Sequence, residues 1–125
     1  MLTMDVLPDK IGICKLDVNQ EIPLWALQGE FFSITKTTEE LSIVCSEENI
    51  PGAVLCERGW RALKLKGPFP FDLVGIVAQV SAAVARAGVG IFVISTYDTD
   101  YILVKAKDLD SAVEALRNDG HSIMA

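Results

Sequence analysis

The chain has 125 residues, half of them hydrophobic, and a formal net charge of -6. That length suits one compact domain or two small ones with a buried core, and the acidic balance, with eleven scattered basic residues, excludes a surface built for nucleic acid or anionic membrane. The three cysteines, Cys14, Cys45 and Cys56, form no CxxC pair, which argues against a disulfide framework and for a reducing, cytoplasmic compartment with the thiols packed in a core.

No basic stretch leads into a long apolar segment at the N-terminus, so no targeting signal is expected. The most apolar region, Leu73 to Ile94, is broken at Gly88-Val89-Gly90 and is too interrupted to span a membrane.

The first predicted element is a strand from Ile11 to Asp17. A short segment containing Ile22-Pro23-Leu24-Trp25 follows, with room for a turn of helix and no more. Residues 31–48, FFSITKTTEELSIVCSEE, then read as two short strands around a polar gap, and Pro51-Gly52 interrupts whatever helix follows. Two ways of closing this half remain open: a strand at Val54 to Cys56, or use of the following strand by both halves.

Trp60 to Lys66 is that next strand, stopped by Gly67-Pro68-Phe69-Pro70. A helix is expected from Asp72, whose carboxylate suits an N-cap. Its apolar stripe is Leu73, Ile76, Val77, Val80, Val84 and Ala87, and Gly88 ends it. Val89 to Ser95 and Tyr101 to Lys105 are strands of a hairpin, apolar on both faces. Leu109, Ala112, Val113 and Leu116 form a second helical stripe, capped by Asp108 or Asp110 and stopped at Gly120, and His121 to Met124 can be a last strand. The order is β-α-β-β-α-β, the ferredoxin-like α+β pattern.

The two hairpins repeat one another. Residues 31–48 align without a gap on residues 91–108, each position matching the one sixty further on, so that Phe32 pairs with Phe92, Ile34 with Ile94 and Val44 with Val104. In this alignment Thr38 and Glu40 stand where the later copy has Asp98 and Asp100.

In a ferredoxin-like unit with strand order 4-1-3-2, the loop after strand one and the hairpin between strands two and three lie at the same end. Gly67 to Asp72 should therefore meet Thr96 to Asp100. The helix N-terminus there favours a carboxylate, Asp98 and Asp100 favour an ammonium or guanidinium, and Phe69, Phe71 and Tyr97 can wall an apolar stem. A solvated turn with an N-cap is the competing reading of the same residues. A metal or catalytic role lacks support, because no third ligand, Ser/His/Asp, Cys/His or phosphate-loop pattern accompanies the carboxylates, and nothing basic near Cys45 in sequence would activate it.

The stretches WRALKLKG and GPFPFDLVGIVAQVSAAVARAGVGIFVISTYDTDYILVK resemble an ACT domain. They are most similar to tandem ACT proteins related to the CASTOR arginine sensors and to the regulatory domains of aspartate kinases. The resemblance is specific over residues 60–120 and weaker over 1–59, where it rests on ELSIVCSEENIP and the repeat. It implies a degenerate ACT-like domain at 1–59 and a βαββαβ ACT domain at 60–125. It further implies a non-catalytic regulatory protein without cofactor or metal, binding a small ligand, an amino acid above all, at an ACT–ACT interface. A homodimer formed through sheet or helix packing is expected. The contacts carried over by motif are Phe71, Asp72 and Leu73, together with Ser95, Thr96, Tyr97, Asp98, Thr99 and Asp100. The length fits a free-standing sensor or a partner-binding subunit. The alternative is a structural dimerisation or protein-interaction module with no ligand.

Overall fold

The computed structural model of the chain describes residues 1–70 and 74–124. In chain order its strands are β1 (Thr3–Val6), β2 (Ile11–Leu16), β3 (Ser33–Lys36), β4 (Leu41–Ser46), β5 (Cys56–Leu65), β6 (Phe92–Ser95), β7 (Asp100–Lys105) and β8 (Ser122–Met124). Two α-helices, α1 (Ile76–Arg86) and α2 (Leu109–Asn118), complete the α+β fold. The chain packs as two units, Asp9–Trp60 on its own and Met1–Pro8 together with Arg61–Ala125. The first eight residues thus pack with the later unit, and Trp60 with the earlier one.

The earlier unit is an antiparallel sheet in the order β3-β4-β2-β5. That is the 4-1-3-2 order of a ferredoxin-like unit. Its helices are reduced to 3-10 turns at Leu24–Leu27 and Glu47–Asn49. Pro23 sets the first in extended backbone, and Pro51, which has no N–H to give, follows the second. The core holds Cys14, Leu16, Ala26, Leu41, Ile43, Cys45 and Ile50. The closing strand is now defined. β5 starts at Cys56 and its first half pairs with β2 through Cys14↔Cys56 and Ile11↔Trp60, while its second half is the first strand of the later unit. The strand serves both halves, and it begins four residues before Trp60.

The later unit has the strand order β6-β7-β5-β1-β8. The 1-3-2 part of the expected order holds, but the fourth strand does not lie beside the first. β1 separates them, pairing antiparallel with β5 (Met4↔Leu65) and parallel with β8 (Thr3↔Ser122). The insertion is fixed at its start by the Leu2 N–H, which donates to His121 Nδ1 at 3.0 Å, and by the Ser122 N–H, which donates to Leu2 O at 2.9 Å. Met4 is fully buried among Leu63, Leu65, Val80, Val84, Ile102, Val104, Leu116 and Ile123. On α1, Ile76, Val80, Ala83 and Val84 face this core, following the three-and-four spacing of the sequence; Ala87 is exposed. In β7, Ile102 and Val104 join the helix-packed core, and Leu103 between them is also fully buried, so the strand is covered on both faces as its composition requires.

Two local expectations change. α1 begins at Ile76 rather than Asp72, with Gly75 in the left-handed region (φ 86°) at the N-cap and no side-chain cap; Asp72, like Phe71 and Leu73, lies outside the described residues. Asp108 sits at the N-cap of α2, yet its side chain makes no capping hydrogen bond.

The repeat is real, but its register is not the one that sequence identity selects. Ser33↔Val44 to Lys36↔Leu41 in the β3–β4 hairpin correspond to Phe92↔Leu103 to Ser95↔Asp100 in β6–β7. Equivalent residues are therefore fifty-nine positions apart. The structural counterpart of Asp98 is Glu39 rather than Thr38, and that of Asp100 is Leu41 rather than Glu40. A shift of one residue moves every side chain to the opposite face, so the correction decides which residues are comparable.

Candidate functional site

The site region is built where β5 leaves the sheet. The Thr99 hydroxyl donates to Leu65 O at 2.6 Å, and the Phe69 N–H donates to Asp98 O at 2.9 Å. These bonds dock the loop after β5 onto the β6–β7 turn, the juxtaposition expected from the topology. Gly67, which precedes a cis peptide bond to Pro68, is required by the closeness of this approach: a Cβ there would lie 2.7 Å from Asp98 O, far inside normal contact.

The turn itself is held by Thr96. Its N–H donates to Thr99 O at 2.8 Å, and its hydroxyl oxygen accepts the Thr99 N–H at 3.3 Å. Thr99 is buried, whereas Thr96, Tyr97 and Asp98 are exposed. At the base of the hairpin the Ser95 hydroxyl donates to the Asp100 carboxylate.

Between this hairpin and the start of α1 lies a groove of about 410 Å³. One wall is Phe69 and Pro70, the floor is Gly75 to Ala78, and the other wall runs from Ser95 to Asp100. The six hairpin residues singled out in the sequence are therefore brought together on one groove. Gly75, Ile76, Val77 and Ala78 were not among the expected contacts; the signal for them is Gly75 itself, a residue suited to the left-handed turn that opens the helix. The first amides of α1 have no acceptor within the helix, and Gly75 at the N-cap brings no capping side chain, so the partial positive charge of the helix end borders the groove. Asp98 and Asp100 add negative charge to the lining of the same groove. Asp98 also borders a smaller cavity of about 220 Å³ with Lys64, Pro68 and Tyr101.

Cys14 and Cys45 are poor nucleophiles. Burial pushes the Cys45 thiol up to about 11, with the neighbouring Cys56 adding to the effect. Burial, then the hydrogen bond to Cys56, pushes Cys14 up to about 12. An activated thiol needs the opposite shift. Among the described residues no three His, Cys, Asp or Glu side chains gather in a way that could hold a metal ion, and no helix is long and apolar enough to cross a membrane.

A family model for the ACT domain matches residues 55–118, and a second model, describing an N-terminal domain, matches residues 9–53. A crystal structure of a protein from Agrobacterium tumefaciens is similar over 98% of this chain and 92% of its own, with 43% identity and a TM-score of 0.93. The regulatory subunit of aspartate kinase from Thermus thermophilus shares the fold, with a TM-score of 0.61 and 11% identity over 88% of this chain and 92% of its own. The cytosolic arginine sensor for mTORC1 subunit 1 of Bos taurus is 33% identical over 100 residues, covering 72% of this chain and 30% of the sensor. The chain spans less than two thirds of the length of the curated relatives it matches.

Proposed function

We propose that this chain, which belongs to the ACT domain family, is a non-catalytic regulatory protein that binds an amino acid in the groove between α1 and the Ser95–Asp100 turn. One observation carries the reading: the first turn of α1 and two aspartates, Asp98 and Asp100, line one groove of about 410 Å³. An α-carboxylate suits the amides of the first helical turn, and an ammonium or guanidinium suits Asp98 and Asp100. Phe69 and Pro70 offer apolar surface to the stem between them. The similarity to an arginine sensor and to aspartate kinase regulatory subunits supports an amino acid over other small ligands.

The groove is open on the Tyr97 side, where Tyr97 is 79% exposed. A second ACT unit, supplied by a homodimer, would close it and make assembly respond to ligand, since a ligand shifts an equilibrium only through its different affinity for the two states. A reducing, cytoplasmic setting suits the three free thiols. The test is a thermal-shift screen of the whole chain against the twenty amino acids, repeated with Asp98→Asn and Asp100→Asn. Ligand at a hundred times its dissociation constant stabilises by about 2.7 kcal/mol. We expect a shift for at least one amino acid that the double variant loses. Absence of any shift, or a shift the double variant keeps, overturns the assignment.

A further inference from the structure

We infer that Cys14 and Cys56 form a reversible intramolecular disulfide when the protein meets a peroxide, making the earlier unit a site of oxidative modification. The two residues are direct cross-strand partners in the β2–β5 pair. The next pair along, Lys15 and Leu55, is the hydrogen-bonded one, with the Lys15 N–H donating to Leu55 O at 3.1 Å. Cys14 and Cys56 therefore occupy a non-hydrogen-bonded position, where Cα atoms are about 4.5 Å apart and side chains are closest. That separation lies within the range a disulfide spans. The two thiols are close enough to interact.

Register sets the third cysteine apart from Cys14. Cys45 lies opposite Gly12, while Cys14 lies opposite Ile43. Cys45 is therefore a diagonal neighbour of Cys14, at roughly 7–8 Å, beyond easy bridging. Gly12 keeps the space beside the pair open, since a Cβ on it would come within 2.9 Å of Cys56 Sγ. Access also separates the roles: Cys14 is buried, whereas Cys56 is partly exposed.

The chemistry balances with hydrogen peroxide as the oxidant. The Cys56 thiolate attacks one peroxide oxygen, the O–O bond breaks, hydroxide leaves, and a sulfenic acid forms on Cys56. Cys14 sulfur then attacks Cys56 sulfur. The S–S bond forms, the S–O bond breaks, and the departing oxygen leaves as water with the Cys14 proton. A dithiol loses two electrons, peroxide gains them, and an external dithiol reverses the change by exchange.

The full chain is treated with hydrogen peroxide, its remaining thiols are alkylated after denaturation, and the digest is read by mass spectrometry without reductant. A Cys14–Cys56 crosslinked peptide is expected, absent after dithiothreitol, with Cys45 recovered alkylated. In Cys14→Ser the crosslink is lost and dimedone labelling of Cys56 rises at least several-fold, whereas Cys45→Ala keeps the crosslink. A crosslink to Cys45, linkage only between chains, or Cys56 driven to the sulfinic acid without any crosslink overturns the proposal. The wild-type digest decides the matter even if a variant fails to fold.

Discussion

The β3–β4 and β6–β7 hairpins are built alike and set in different surroundings. Each turns on a threonine: Thr37 Oγ1 accepts the Glu40 N–H at 3.1 Å, and Thr96 Oγ1 accepts the Thr99 N–H at 3.3 Å. Each strand pair has the same register, and a 3-10 turn follows each second strand. The difference lies in what flanks them. The later hairpin is followed by α2 and faces the N-terminus of α1. The earlier one has short turns in place of both helices, and its core is filled by cysteines and aliphatic side chains. A hairpin alone makes no groove; the helix that starts beside the later one does.

The residue following the turn marks this divergence most sharply. Leu41 is fully buried, whereas its counterpart Asp100 is half-buried and takes a hydrogen bond from Ser95. Leu41→Ala should cost about 2–5 kcal/mol, as large-to-small changes in a packed core do. Asp100→Ala, at a partly exposed site, should cost about 1 kcal/mol or less. Urea denaturation of the two variants measures the difference. If Leu41→Ala and Asp100→Ala are equally costly, the fifty-nine-residue register does not describe the repeat.

A second contrast is alkaline sensitivity, because all three cysteines lie in the earlier unit. Cys14 and Cys45 ordinarily titrate near 9.0 and are raised to about 12 and about 11 in the fold. Between those values the unfolded chain has lost protons that the folded chain keeps, so stability must fall as pH rises. It is fully present below pH 9.0 and declines by about 1 kcal/mol per thiol for each pH unit above it. Denaturant melts from pH 8 to 11 should show this slope, and Cys45→Ala should flatten it. An unchanged slope in that variant would remove the buried thiol as its cause.

Much of the later unit was legible because its signals are local. The Val80–Val84 stripe, the Val/Ile/Phe-rich hairpin and the Gly-Pro loop each announce an element within a few residues. What escaped was non-local. β1 is four residues long, and its place is set by partners at Leu63–Leu65 and Ser122–Met124; no period in so short a run reveals that. The repeat register failed for a related reason. Matching Phe32 to Phe92 and Ile34 to Ile94 maximised identity, yet Phe32 is 40% exposed and precedes β3, while Phe92 is within β6. Likeness of side chains outweighed the pleat, which only the pairing shows. At the site, the meeting of the Gly67 loop with the turn followed from strand order. The shift of the helix start from Asp72 to Ile76 did not, because Asp is a better cap by composition than the glycine that occupies the position.

The finest comparison is between Glu39 and Asp98, the acidic residues at the third position of each turn. Both side chains are exposed, so Glu39→Gln and Asp98→Asn should each change stability by no more than about 0.5 kcal/mol. Their consequences for ligand response should nonetheless differ. Asp98 borders the groove whose floor is the first turn of α1, while no α-helix starts beside Glu39 in its unit. A carboxylate at a turn becomes a ligand contact only where an oppositely charged element fixes the rest of the ligand. Calorimetric titration with the amino acid that gives the largest thermal shift should lose affinity in Asp98→Asn by about tenfold or more, the effect of removing one charge-assisted hydrogen bond. Glu39→Gln should leave it unchanged. Equal losses in both variants would mean that net charge, not the groove, governs binding.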